Sequence, residues 1–312
     1  MARTRYAPDR GLTARMTLTM FLLGAVFVGF VVALVFILSA VHASNAAIVF
    51  FPVVLGLGLG IGSLYYSDKI ALRAAGAEVV TPQQAPELHG IIDRICALAD
   101  MPKPVVAISP ADMPNAFATG RNSKNAVVCV TEGLLRKLDP EELEGVLAHE
   151  MSHVAHKDVV VMTVASFLGI IAGLLVRFAF YSELFGGDRR GGNNNNGGAL
   201  PVMLIIMLVS IVVYAISFLL IRLLSRYREL AADRSGALLT GQPSKLASAL
   251  TKVSGDIAKI PSRDLREAEP LNAFYFAPAI TSGASLATLF STHPSLERRL
   301  RELDKISEQL GR

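Results

Sequence analysis

His149-Glu150-Met151-Ser152-His153 has the spacing H-E-x-x-H, which on a helix stacks the two histidines one turn apart on the same face. Two imidazole nitrogens so placed can reach one zinc ion, with Glu150 beside them to take a proton from water held by the metal. The segment is built to be a helix. Asp139 can cap its N-terminus, Pro140 suits the first helical position, and Glu142 completes a capping box. The chemistry is hydrolysis: zinc lowers the pKa of its water toward about 7 and polarises a carbonyl as a Lewis acid.

A catalytic zinc needs a third protein ligand and an open position. His156 shares the face of His149 and His153 but lies about 10.5 Å along the axis from His149. That is too far for one ion while the helix continues, and Val154-Ala155 offer no break. Glu229, within Arg228-Glu229-Leu230-Ala231-Ala232-Asp233, is the better candidate. Glu229 and Asp233 are four apart, so both carboxylates face the same way on a helix. Glu229 can ligate zinc while Asp233 bonds the far nitrogen of a ligand histidine and sets its tautomer. An ordinary acidic pair on a solvated helix is the alternative.

The elements that must bring these residues together include four apolar stretches, at Thr17–Leu38, Ala46–Tyr66, Val159–Tyr181 and Leu200–Ile221. They explain why a 312-residue chain is 52% hydrophobic, with a mean hydropathy of +0.46. Each reaches the ~20 residues that a bilayer crossing requires. None carries an acidic residue, and the single basic one, Arg177, is near enough to an end to snorkel. The first stretch is longer than a signal-peptide core and a second follows at once, so it reads as an anchor.

Arg3, Arg5, Arg10 and Arg15 precede the first stretch, Lys69 and Arg73 follow the second, and Arg222, Arg226, Arg228 and Arg234 mark the end of the fourth. Arg189 and Arg190 are offset by Glu183 and Asp188. The basic flanks place both termini and Asp68–Asp158 in the cytoplasm. An even number of spans, two, separates His153 from Glu229, so the two can meet there. The net charge of +4 belongs to this sidedness and implies no nucleic-acid partner. Cys96 and Cys129 read as reduced structural thiols.

The soluble mass falls into Asp68–Asp158 and Leu223–Arg312. Glu87–Asp100 has helical periodicity, Val105–Ser109 and Val127–Val130 read as strands, and Glu132–Leu138 reads as a short helix. Pro261–Gly283 and the Gly/Asn-rich Gly186–Gly198 read as loops. Gly56, Gly58, Gly60 and Gly62 lie inside a span and suggest close helix packing rather than a nucleotide loop. His42 and His89 have no partner spacing and read as non-functional. The fold class is an α-helical membrane protein with four transmembrane helices and a cytoplasmic, mainly helical α+β zinc-protease domain containing a small sheet. Its parts are a tail and hairpin over 1–66, the first catalytic part over 67–158, a second hairpin over 159–222 with an external loop at 182–199, and the second catalytic part over 223–312.

With Asn115-Ala116-Phe117-Ala118-Thr119-Gly120, Val130-Thr131-Glu132-Gly133-Leu134-Leu135, Leu147 through His153, the Ser225-Arg226-Tyr227-Arg228-Glu229…Ala232-Asp233 run and Ser291-Thr292-His293-Pro294, the chain resembles the HtpX-like membrane zinc endopeptidases, relatives of the CAAX prenyl-protein proteases. The resemblance covers most of the chain, and His156 is its one small departure. It implies a stress-response, quality-control protease of the bacterial cytoplasmic (inner) membrane, using one zinc ion and cleaving misfolded or damaged membrane proteins, with membrane quality-control partners. It also implies that His293 and Arg299, matching the family's H-P-x-x-x-x-R segment, stabilise the charged intermediate. For Arg299 the alternative is a solvated face of the charged run Glu297–Glu302. Asn115, Ala116, Phe117 and Ala118 resemble the family's edge strand, to which substrate backbone adds as an extra strand. Pro114 before them fits an edge, and an ordinary loop before Gly120 is the alternative.

Other classes fit less well. A scaffold with structural zinc calls for four protein ligands, where three are in sight beside a general base. A transporter calls for intramembrane charges or paired broken helices. Prenyl-peptide processing calls for a large intramembrane chamber, which four spans are too few to enclose.

Overall fold

The computed structural model describes residues 10–40, 47–186, 199–257 and 294–311. Chain contacts divide them into two units. One holds the described residues within Met1–Arg15, Leu64–Val161 and Ser225–Arg312, and the other those within Met16–Ser63 and Met162–Leu224.

In the first unit, a four-stranded sheet has the order β1-β2-β4-β3, from β1 (Glu78–Val79), β2 (Val105–Ser109), β3 (Ala116–Gly120) and β4 (Ala126–Thr131). β2 and β4 are parallel, with Val105 opposite Val127, and β3 is antiparallel to β4, with Ala116 opposite Val130. β4 is buried on both faces, which is why it reads as an unbroken apolar run. Val128 and Val130 face the main core, which also takes Leu147 and Met151 beside the histidine pair, and Leu246 and Leu250. Cys129 and Val127 face a smaller cluster with Phe117 and Ala71. Burial pushes the Cys96 thiol up to about 11 and the Cys129 thiol up to about 12, so both are inert neutral side chains.

Helices α3 (Pro86–Ala99) and α4 (Glu132–Lys137) follow the expected periodicity. Helix α5 (Pro140–Ala155) carries the histidine pair. Its N-terminus is the expected capping box, with Asp139 accepting from the Glu142 amide and Glu142 reaching back to the Asp139 amide. The C-terminus differs from expectation. α5 ends at Ala155, His156 caps it, and Lys157 takes the left-handed conformation at φ 56° before α6 (Asp158–Gly186) begins. α7 (Ala199–Thr240) follows, then α8 (Pro243–Ile257) and α9 (Leu296–Gln309). Glu142, deep on α5, is held by Ser248 and Lys252 of α8, each at 2.6 Å.

The second unit is helical. All four apolar stretches lie on long helices, α1 (Arg10–Ala40), α2 (Ala47–Ala74), α6 and α7. Among the described residues, Thr13–Leu34 and Leu204–Thr240 are long and apolar enough to cross a membrane, and Asp158–Leu174 joined to α5 makes a third candidate. Phe30, Leu34, Ile171, Ile206 and Val213 pack together, while Leu18, Phe21 and Phe36 of α1 and Leu208, Val212 and Leu219 of α7 turn outward. Outward apolar faces of this size suit lipid. α7 is 42 residues, and from Arg222 onward it carries six charged residues, so its second half is not apolar. For two of the four α2 glycines the expectation is not met: among the described residues, a Cβ on Gly58 or Gly62 would meet nothing within 4 Å. His42, Pro261–Gly283 and 187–198 of the Gly/Asn-rich stretch lie outside the described residues.

Candidate active site

α5 and the polar half of α7 carry the candidate residues. Gly236, one turn beyond Asp233, lets the two backbones approach: a Cβ there would lie 2.9 Å from the His149 nitrogen. The ligand atoms of His149, His153 and Glu229 all fall within 4.8 Å of one another. The two rings meet edge to face with centroids 4.9 Å apart. His149 Nε2 lies 3.6 Å from Glu229 Oε2, and His153 Nε2 lies 3.5 Å from Glu229 Oε1. Two imidazole nitrogens and a carboxylate converging at this scale fit a tetrahedral zinc site with one open position.

Each histidine is oriented from behind. Asp233 Oδ1 lies 2.9 Å from His149 Nδ1, and Asp158 Oδ2 lies 2.6 Å from His153 Nδ1. Each aspartate in turn meets an arginine. Arg299 grips Asp233 with two parallel hydrogen bonds, Nε to Oδ2 at 2.7 Å and Nη2 to Oδ1 at 2.6 Å. Arg228 Nη2 lies 2.7 Å from Asp158 Oδ2. Carboxylates on both Nδ1 atoms leave both Nε2 atoms for a cation, the orientation such sites use.

Electrostatics follow from the packing. Burial pushes the His149 imidazole down, but Asp233 and Glu229 outweigh it and hold its pKa at about 9. Two carboxylates facing one buried imidazole make a pocket that suits a cation. Burial likewise pushes Asp233 and Asp158 up. Arg299 with His149 reverses this for Asp233, and Arg228 with His153 brings Asp158 down to about 2. Glu150 moves the other way. Burial, with the neighbouring Glu229 charge, holds it above the usual carboxylate range against the opposing histidines and the Ala118 amide. A carboxylate raised this way is a better proton acceptor near neutral pH.

The Ala118 amide donates to Glu150 Oε2 at 3.1 Å. Asn115 accepts from the Thr131 amide at 2.9 Å, so Asn115, Phe117 and Thr119 turn their backbone groups toward β4. Alternation then turns Ala116 and Ala118 to the open edge beside Glu150. The Phe117 side chain points to the opposite face and anchors the strand in the small cluster with Cys129.

The structure thus brings together His149, His153, Glu229, Glu150, Asp233, Arg299 and the Ala116–Ala118 edge. Arg299 does not lie on a solvated face: it is 2% exposed, on the inner stripe of α9 with Leu303 and Ile306. His156 caps α5 outside the cluster, and burial lowers its pKa. His293 lies outside the described residues. His89 is buried, its Nε2 3.0 Å from the Val80 carbonyl. Asp158 and Arg228 escape the sequence reading. Asp158 follows His153 by five residues, a spacing that means nothing on a continuous helix and becomes a contact because α5 ends between them.

Comparison with known proteins agrees with this geometry. The family model described as Peptidase family M48 matches residues 82–307. Protease HtpX homolog 1 of Streptomyces coelicolor is 61% identical over 310 residues, covering 99% of this chain and 97% of that protein. Protease HtpX homolog of Moorella thermoacetica is 49% identical over 309 residues, covering 99% and 98%. The crystal structure of S. mikatae Ste24p superposes with a TM-score of 0.52 at 18% identity, covering 95% of this chain and 67% of that one, and so shares the fold. The chain therefore belongs to peptidase family M48, as a membrane metalloprotease of the HtpX type.

Proposed function

We propose that the protein is a zinc endopeptidase whose ligands are His149, His153 and Glu229, and that it cleaves misfolded or damaged membrane proteins. The observation that carries the reading is the convergence of the three ligand atoms within 4.8 Å, with Glu150 on the same helix as both histidines. Zinc held there would act as a Lewis acid and make water acidic enough to attack near neutral pH.

The chain's own residues do the rest. Glu150, with its raised pKa, takes the proton of the attacking water and passes it to the leaving amine. The Ala118 amide aims the Glu150 carboxylate. The outward backbone groups of Ala116 and Ala118 are placed to pair with an extended substrate, laying it as an added strand along β3. Asn115 and Phe117 hold that strand against β4. Asp233 and Asp158 orient the two histidines. Arg299, bound to Asp233 and with Nη1 4.0 Å from Glu229, contributes positive potential beside the site. His293 is proposed for the same electrostatic task from the segment before α9.

The membrane reading completes the proposal. The four apolar stretches cross the bacterial cytoplasmic membrane as two hairpins, over 1–66 and 159–222, with both termini and the site cytoplasmic. The parts at 67–158 and 223–312 form one catalytic body. Support comes from the basic flanks and from the charged second half of α7, which carries Glu229 and Asp233.

Incubating purified protein with an unfolded membrane substrate, with and without a zinc chelator, tests the reading. Cleavage should stop with chelator and in Glu150→Gln, and turnover by Glu150→Gln would remove Glu150 as the base.

A further inference from the structure

The four apolar stretches contain no Asp or Glu and a single Lys or Arg, Arg177. By sequence position Arg177 is four residues from the end of its stretch, within reach of water. Packing within the helical unit changes its depth. A Cβ on Gly169 would touch Ser217 and Ile221, and one on Gly173 would touch Tyr214. α6 and α7 therefore run antiparallel, and Arg177, one turn beyond Gly173, is level with the region of Ser210. Twelve residues separate Ser210 from Arg222, the first charge on α7. With Arg222 taken as the edge of the hydrocarbon layer, that separation of about 18 Å along the helix puts Arg177 near the middle of a ~30 Å layer. Helix side chains lean toward the N-terminus of their helix, which draws this guanidinium deeper rather than outward.

Arg177 is exposed, and it closes one end of a cavity of about 350 Å³ on the seam between α6 and α7. Gly169 and Gly173 line it from α6, and Tyr214, Phe218 and Ile221 line it from α7. The α6 lining runs from Ser166 to Arg177, about 16 Å of helix. A charged side chain in hydrocarbon is costly and pairs with an opposite charge. The chain's own four apolar stretches hold no carboxylate, and the nearest one on α6, Glu183, is six residues beyond Arg177, about 9 Å further along the helix. Lipid phosphates sit outside the hydrocarbon layer.

We propose that this groove is a docking site for a membrane-spanning helix of a substrate protein that carries a carboxylate near mid-membrane. The carboxylate pairs with Arg177, and the helix seats over Gly169 and Gly173, where small residues permit close approach. The proposal rests on the reading of the protein as a protease of membrane proteins, and it supplies a substrate class. Intramembrane acids normally pair inside their own bundle. A misfolded or orphaned membrane protein exposes one, and that is the chemistry Arg177 recognises.

The test uses full-length protein in nanodiscs and a model substrate with one transmembrane helix, an Asp at its midpoint and a cleavable cytoplasmic tail. Arg177→Gln should raise KM and lower kcat/KM about tenfold, the scale of one strong interhelical polar contact. Cleavage of a soluble unfolded protein should be unchanged. Replacing the substrate Asp by Asn should cost the wild-type enzyme the same factor and cost Arg177→Gln nothing more. Equal wild-type rates on the Asp and Asn substrates overturn the proposal, and that comparison stands even if Arg177→Gln fails to fold. A rate set by anionic lipid content for both substrates alike assigns Arg177 to a lipid and also overturns it. Failure of the protease reading looks different: wild type would then cleave neither substrate, nor the soluble protein, faster than Glu150→Gln.

Discussion

Both histidines of the H-E-x-x-H helix are backed by an aspartate and an arginine, yet the two arms are built from different parts of the chain. The His149–Asp233–Arg299 arm joins α5, α7 and α9, with a two-bond fork between residues 66 apart in sequence. The His153–Asp158–Arg228 arm is local at one end, because Asp158 is the first residue of α6, and it closes through a single Nη2 contact. In the first arm Asp233 and Arg299 are 1% and 2% exposed, whereas Arg228 in the second is 8% exposed. The comparison teaches that one arm ties three helices together through the core, and the other is a clamp built at the start of an apolar helix.

The largest effect should come from breaking the enclosed arm. Arg299→Met leaves Asp233 charged and buried without its partner, which costs about 3–5 kcal/mol. Thermal unfolding should show a clear fall in Tm, and the matching change Arg228→Met should cost less, since among the described residues Arg228 makes one ion pair and it is nearer solvent. Equal losses would erase the distinction between the arms. Next in size is metal affinity. Asp158→Asn and Asp233→Asn should each weaken zinc binding by about 10–100-fold, measured by chelator competition. Asp158→Asn should do so with the smaller loss of Tm. Unchanged affinity in Asp158→Asn would mean that the second arm serves structure alone.

Gly236→Ala probes the approach that sets the first arm. Its Cβ would sit 2.9 Å from the His149 backbone nitrogen, so α7 must shift against α5. About 1–3 kcal/mol of stability should be lost, along with zinc affinity. Gly255→Ala, within α8 and where a Cβ meets nothing within 4 Å, should lose neither.

The smallest effect isolates α5 from both arms. Burial pushes Glu142 up, but Lys252, Ser248 and the Asp139 amide outweigh it and hold its pKa below the ordinary value. A depressed carboxylate contributes stability above its unfolded pKa and loses it as pH falls through its folded pKa. Wild-type Tm should therefore drop on acidification through that window, and Glu142→Gln should flatten the drop. An unchanged slope in the variant would place the acid sensitivity elsewhere.

What was legible followed interaction range. The capping box at Asp139 and Glu142 is readable because all of it lies within four residues. Glu229 and Asp233 are readable because four-residue spacing on a helix is local, and β4 because a strand buried on both faces is apolar throughout. The end of α5 was hidden. Its break falls at Lys157 in the left-handed region, where glycine would be expected and no side chain announces a stop. That concealed the Asp158 contact with His153. Arg299 was named through the family's H-P-x-x-x-x-R segment, but its burial was hidden by its neighbours: exposed Glu297, Arg298 and Arg301 give the segment the composition of a solvated helix, and only the Arg299, Leu303 and Ile306 spacing marks the inner stripe.

Elemental analysis of purified wild type, Glu150→Gln and Glu229→Ala, each assayed on the same unfolded substrate, addresses the central claim most directly. One zinc per chain is expected in wild type and in Glu150→Gln, none in Glu229→Ala, and cleavage in wild type alone. Full zinc content in Glu229→Ala, or turnover by Glu150→Gln, would contradict the assignment.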